Sequence, residues 1–147
     1  MTGKITPGQR KLPSFTLTFD ENLVPKGWKI VRNVKPSKFQ VKDINLVSVL
    51  EKDEESVSGK VMRQRAKNLK ANLGLADAKY VLEHQAEIPV EFQEKFLLFP
   101  GTLFDCNHIA CLVWKDGKWH PAFLPLWYSF DDDDLLVRCK SAGRAQA

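Results

Sequence analysis

The feature that most constrains this chain lies in its last third. Ile109 to Trp114 and Trp119 to Leu124 are two strand-like runs joined by Lys115-Asp116-Gly117-Lys118. Asp-Gly between such runs is a strong hairpin signal, because a two-residue turn of matching twist needs positive φ at both central positions. An antiparallel pair must therefore organise this region. Leu135 to Arg138 adds a short strand after the run Asp131 to Asp134, and Phe96-Leu97-Leu98-Phe99 is a buried run closed by Pro100-Gly101.

Upstream the period changes. Met62, Ala66, Leu69 and Leu73 recur at spacings of 4, 3 and 4, which lines one face of a helix. Ser56 or Ser58 is placed to cap its start, and Gly74 to end it in the left-handed conformation. Asp77 is placed to cap a second helix carrying Ala78, Val81 and Leu82, which Pro89 stops. Earlier still, Phe15, Leu17 and Phe19 alternate with threonines, Trp28 to Val31 reads as a short strand after the turn at Pro25-Lys26-Gly27, and Phe39 to Leu50 carries a further extended segment.

A chain of 147 residues with 44% hydrophobic and 27% charged content suits one globular core. The expected division is a mobile segment at 1–13, one α+β domain over 14–140, and a mobile tail at 141–147. Within the domain, two helices are expected to pack on a C-terminal antiparallel sheet. No apolar run approaches the ~18 residues of a membrane span. No signal-peptide pattern is visible in Met1 to Gly8, so a cytoplasmic location is the expectation. Cys106, Cys111 and Cys139 contain no Cys-x-x-Cys pair, and reduced thiols are expected.

The net charge of +4 is unevenly spread: residues 1–50 hold nine Lys/Arg against three acids. With Arg63, Arg65, Lys67 and Lys70 on the first helix, this leaves open a small basic nucleic-acid-binding module. Other chemistry is thinly supported. Cys106 and His108 lack a second ligand pair at zinc spacing, so Cys111 and His120 would have to converge on them. His84 has no partner at catalytic spacing. The run Asp131-Asp132-Asp133-Asp134 offers hard oxygen ligands suited to Ca²⁺ or Mg²⁺, but lacks the alternation and glycine of an EF-hand loop, and like charges this dense favour a solvated loop. With no phosphate loop, nucleophile elbow or paired carboxylates, neither an enzyme nor a cofactor is expected, and no metal is assigned.

The alternation in the hairpin separates two faces. Leu112, Trp114 and Phe123 belong to one; Cys111, Val113, His120, Ala122 and Leu124 belong to the other. The second face lacks the Lys, Glu, Thr and Ser of a solvated surface. It reads as a contact surface, with Trp127 and Tyr128 beside it as interface anchors, unless the N-terminal segment covers it.

The stretch from Arg65 to Lys140 resembles the variable proteins of diversity-generating retroelements. The strings that carry the resemblance are Arg65-Ala66-Lys67, Ala71-Asn72-Leu73-Gly74, Asp77 through Gln85 with Glu87-Ile88-Pro89, and Phe99-Pro100-Gly101-Thr102. The Trp114 and Trp119 pair, Phe123, Leu126, Phe130 and Leu136-Val137-Arg138 complete it, while Pro121, Pro125 and Leu135 depart from the family's pattern. The resemblance implies a C-type-lectin-like fold and a non-catalytic protein whose C-terminal region, about residues 109–138, is diversified by error-prone reverse transcription. It further implies that Cys111, Val113, His120, Ala122, Leu124, Trp127, Tyr128, Asp131 and Asp133 form a surface that binds a protein or other macromolecular ligand.

Overall fold

The computed structural model describes residues 18–139. The segments expected to be mobile, 1–13 and 141–147, lie outside these residues, as do Phe15 and Leu17 of the first alternating run. The described chain forms one α+β domain with two α-helices and two sheets.

Among the described residues there are seven strands: β1 (Ile30–Arg32), β2 (Ile44–Ser48), β3 (Phe96–Phe99), β4 (Leu103–Phe104), β5 (His108–Lys115), β6 (Lys118–Pro125) and β7 (Asp134–Cys139). The helices α1 (Gly59–Asn68) and α2 (Leu75–Glu83) lie between β2 and β3. Strands β5 and β6 pair from His108↔Pro125 to Lys115↔Lys118, and the turn residues Asp116 and Gly117 take φ of 55° and 83°. That is the two-residue turn the Asp-Gly signal demands.

The large sheet has the order β2-β7-β3-β5-β6, and β1 pairs separately with β4. It is mixed rather than antiparallel, because β3 and β7 run parallel, with Leu97 opposite Leu135. Strand β3 explains this: every one of its four residues is buried, as a central strand covered on both faces requires.

The helices cover opposite faces of this sheet. Leu75, Ala78 and Val81 of α2 share a core with Leu97, Phe99, Leu112, Trp119 and Phe123. On the other face, Met62 and Ala66 of α1 share a second core with Leu98, Cys111, Val113, Ala122, Leu124 and Phe130.

The start of α1 matches the expectation, and the other helix ends differ from it. Ser58 caps α1, its Oγ accepting the Val61 N–H at 3.3 Å. The helix stops at Asn68 rather than near Gly74, because Lys70 takes the left-handed conformation at φ 57°. The Ala71 N–H then reaches the Ala66 carbonyl at 2.8 Å and the Lys70 N–H the Lys67 carbonyl at 3.2 Å, which satisfies two carbonyls of the last turn. Gly74 instead opens α2. Its N–H is accepted by Asp77 Oδ2 at 3.0 Å, and the Leu75 N–H by Thr102 Oγ1 at 2.8 Å. Asp77 is buried and also accepts the Ser37 N–H at 2.8 Å, so it fixes two segments at once. Burial nevertheless outweighs those two bonds and pushes its carboxyl above the usual range.

Candidate functional site

The alternation read from the hairpin is present, but the solvent side of it is not. Cys111 and Ala122 face each other in the register, as do Val113 and His120. Cys111 and Ala122 are 0% exposed, Leu124 1% and Val113 3%. These four do not form a contact surface. They face the inner side of α1 and the connection that carries Phe130, and this second core accounts for the missing polar side chains.

The remaining expected positions divide. His120 is half-buried, with Nε2 2.9 Å from the Lys115 carbonyl oxygen. Tyr128 is half-buried with its ring 5.0 Å from that of Phe130. Trp127 is 81% exposed.

Asp131 and Asp133 belong to a turn rather than to a solvated acidic loop. The Asp133 N–H is accepted by Asp131 Oδ1 and the Asp131 N–H by Asp134 Oδ2, each at 2.9 Å. Asp133 and Asp134 are buried, and Lys95 Nζ lies 3.4 Å from Asp133 Oδ1. Carboxylate oxygens of Asp131, Asp132 and Asp133 lie within 4.8 Å of one another; Asp131 Oδ1 accepts the turn's own Asp133 N–H, and Asp133 Oδ1 meets Lys95.

The cysteine and histidine candidates do not converge. His108 Nδ1 meets the Cys106 carbonyl oxygen at 2.9 Å, and its ring packs 4.9 Å from Trp28. Cys111 lies in the core on the α1 side and Cys139 in the core on the α2 side. Burial pushes the Cys139 thiol up to about 11. His84 ends α2, with Nδ1 2.9 Å from the Tyr80 carbonyl oxygen and its ring against Tyr80.

One arrangement does assemble groups that the sequence separates. The connection from β6 to β7 is strapped to the chain entering α1. Val57 and Phe130 exchange backbone hydrogen bonds at 2.8 and 2.9 Å, and the Gly59 N–H donates to the Leu126 carbonyl at 3.0 Å. The Leu126 N–H in turn donates to the Asn107 carbonyl at 2.8 Å. These bonds hold Trp127 beside the outer side of α1, where an open cleft of about 550 Å³ is lined by Lys60, Arg63, Gln64, Lys67, Asn107 and Trp127. Among the described residues, no carboxylate lines it.

Among the described residues, Lys60, Arg63 and Lys67 form no salt bridge. Arg65, one position from the cleft's edge, differs: it is bound to Glu54, with Nη2 3.0 Å from Oε2. Arg63 Nε is buried with no hydrogen-bond acceptor. Burial, and then the charge of Arg32, push the Arg63 guanidinium below its ordinary value.

A second cleft of about 390 Å³ lies between α2 and the segment before β2, lined by Asn22, Val24, Asn33, Lys79, Tyr80 and Glu83. Its cation is already paired, Lys79 to Glu83 at 3.6 Å. No helix of the described chain is long and apolar enough to cross a membrane.

Comparison with protein-family models, with curated proteins and with solved structures finds no match. The functional reading therefore rests on this chain's own residues.

Proposed function

We propose that this protein is a non-catalytic recognition protein that binds an anionic macromolecular ligand in the cleft between α1 and Trp127. The observation that carries the reading is an exposed indole fixed beside three cations that have no carboxylate partner. A structural role explains neither part. An exposed Trp adds little to a core, and clustered like charges oppose folding until an anion neutralises them. The volume lies in the range of known ligand clefts.

The finer reading, a C-type-lectin-like variable protein of a diversity-generating retroelement, is supported by the sequence resemblance and by the order of helices before the C-terminal hairpin. Burial of Cys111, Val113, Ala122, Leu124 and Asp133 leaves His120, Trp127, Tyr128 and Asp131 as the positions a diversified surface would use. A near-repeat of the codons for about residues 109–138, differing at adenines and lying beside a reverse transcriptase gene, tests that finer reading.

Retention on immobilised heparin tests the site itself. The wild-type protein is expected to bind, and the triple variant Lys60→Gln, Arg63→Gln, Lys67→Gln to elute in the flow-through while still melting as a folded protein. Equal retention of the two proteins would refute the cleft as an anion-binding site.

A further inference from the structure

We infer that the ligand of this cleft is single-stranded nucleic acid, with a base stacked on Trp127 and successive phosphates along Lys60, Arg63 and Lys67. This inference rests on the anion-binding reading above and adds the chemical class of the ligand.

Four observations distinguish this ligand from other anions. Lys60 and Lys67 are seven positions apart on one helix, which separates them by about 10 Å along its axis. One phosphate cannot serve both ends, so a chain of phosphates fits better than a mononucleotide. Trp127 offers its ring to solvent at 81% exposure on a connection fixed by four backbone hydrogen bonds, and stacking needs an open, prepositioned π face.

Bases in a duplex are stacked on one another and present no face to such a ring, so the strand must be single. An acidic peptide would match the cations but would leave the indole unused. Its apolar anchors would find only Leu126 beside the indole, because the remaining uncharged lining residues, Ser58, Gln64 and Asn107, carry polar groups. Those amide and hydroxyl groups suit base edges and sugar.

The division of labour is testable because stacking and phosphate contacts differ in their response to salt. Three phosphate contacts to a single strand release counterions, which gives a slope of log K against log salt of about −2. Stacking on one aromatic ring contributes about 5- to 150-fold in affinity and leaves that slope alone.

The experiment uses the full chain and a labelled oligothymidylate of about 12 nucleotides, a length within known single-strand site sizes, followed by fluorescence anisotropy over a salt series. Trp127→Ala is expected to weaken binding about tenfold or more at an unchanged slope, and Trp127→Phe to restore most of the loss. Lys60→Ala and Lys67→Ala should each make the slope shallower by about 0.7. Three outcomes would overturn the inference: no binding of the oligothymidylate, an unchanged affinity in Trp127→Ala, or equal binding by a duplex of the same length. Competition by thymidine monophosphate or polyglutamate as effective as that by the unlabelled strand would overturn it too. If heparin retention still depends on the three α1 cations in that case, the cleft remains an anion site and only its nucleic-acid assignment fails. If heparin retention is also indifferent to them, both readings fall.

Discussion

The two faces of the five-stranded sheet are both buried, but different side chains fill them. On the α2 side, Trp28, Phe104 and Phe123 form a ring cluster with centroids 5.3 to 5.6 Å apart, and Trp119 lies 5.7 Å from Trp114. On the α1 side, small residues are frequent: Ala66, Ala71, Cys111 and Ala122 accompany Met62, Phe96 and Phe130. Aromatic bulk announces a core by itself. A mixture of small and apolar groups announces one only when the element that covers it is known, because the same mixture on an open sheet would be a contact surface.

The largest effects should test whether both faces are cores. Phe123→Ala removes the hub of the ring cluster and is expected to cost about 3–5 kcal/mol. Leu124→Ala, on the opposite face, is expected to cost about 2–5 kcal/mol. Urea denaturation of both variants reads the comparison directly. If Leu124→Ala costs less than about 0.5 kcal/mol, the usual surface range, then α1 does not cover that face as a packed layer.

A smaller effect should sharpen the α1 side alone. A Cβ on Gly59 would lie 2.6 Å from the Leu126 Cα, a backbone atom that cannot rotate away. Gly59→Ala is expected to cost about 1–3 kcal/mol by overpacking. It should also loosen the 126–130 connection and blunt oligothymidylate binding, although residue 59 is not a ligand contact. A variant with wild-type stability would show that the strap is dispensable.

How much of this was readable in the sequence follows from distance along the chain. The β5–β6 hairpin was legible because its turn chemistry and both of its alternating runs are local. The alternation even sorted Cys111 with Ala122 correctly. Which side met solvent was not legible, since α1 joins that face from well upstream and only tertiary packing places it there. The same non-locality hid the parallel β3–β7 pairing, and β4 with two residues is too short to leave a pattern. At the end of α1, Leu69 and Leu73 kept a helical spacing, yet Leu69 is exposed and Leu73 is buried from outside the helix. The cleft was unreadable as a unit. Its indole and its cations were each visible, but they belonged to different readings, a display surface and a nucleic-acid module, until the strap to Leu126 joined them.

Acid should separate the two sides of α1's cation set. The Arg65 side chain, and then the Glu51 N–H, bond the Glu54 carboxylate and bring it from 4.5 down to about 2. A carboxylate lowered in the folded state stabilises the fold above its unfolded pKa, and that contribution fades as pH falls from about 4.5 towards 2. Glu54→Gln is therefore expected to flatten the stability profile across that window and leave it unchanged near neutrality apart from a constant offset. Thermal melts of both proteins between pH 2 and 5 supply the comparison. Equal slopes would mean that the pair, which is partly open to solvent, is screened to insignificance.

The smallest expected effect is the most discriminating. Trp127→Ala removes the largest exposed side chain of the cleft, and Trp127 has no ring partner among the described aromatic pairs. A residue kept for folding would cost several kcal/mol on truncation, as Phe123 should, whereas one kept for recognition should cost within about 0.5 kcal/mol. The same denaturation series measures both. A near-zero cost together with lost oligothymidylate affinity assigns the indole to the ligand. A cost above about 2 kcal/mol would make Trp127 part of the α1-side core, and the cleft would lose the stacking platform on which its specificity for single strands depends.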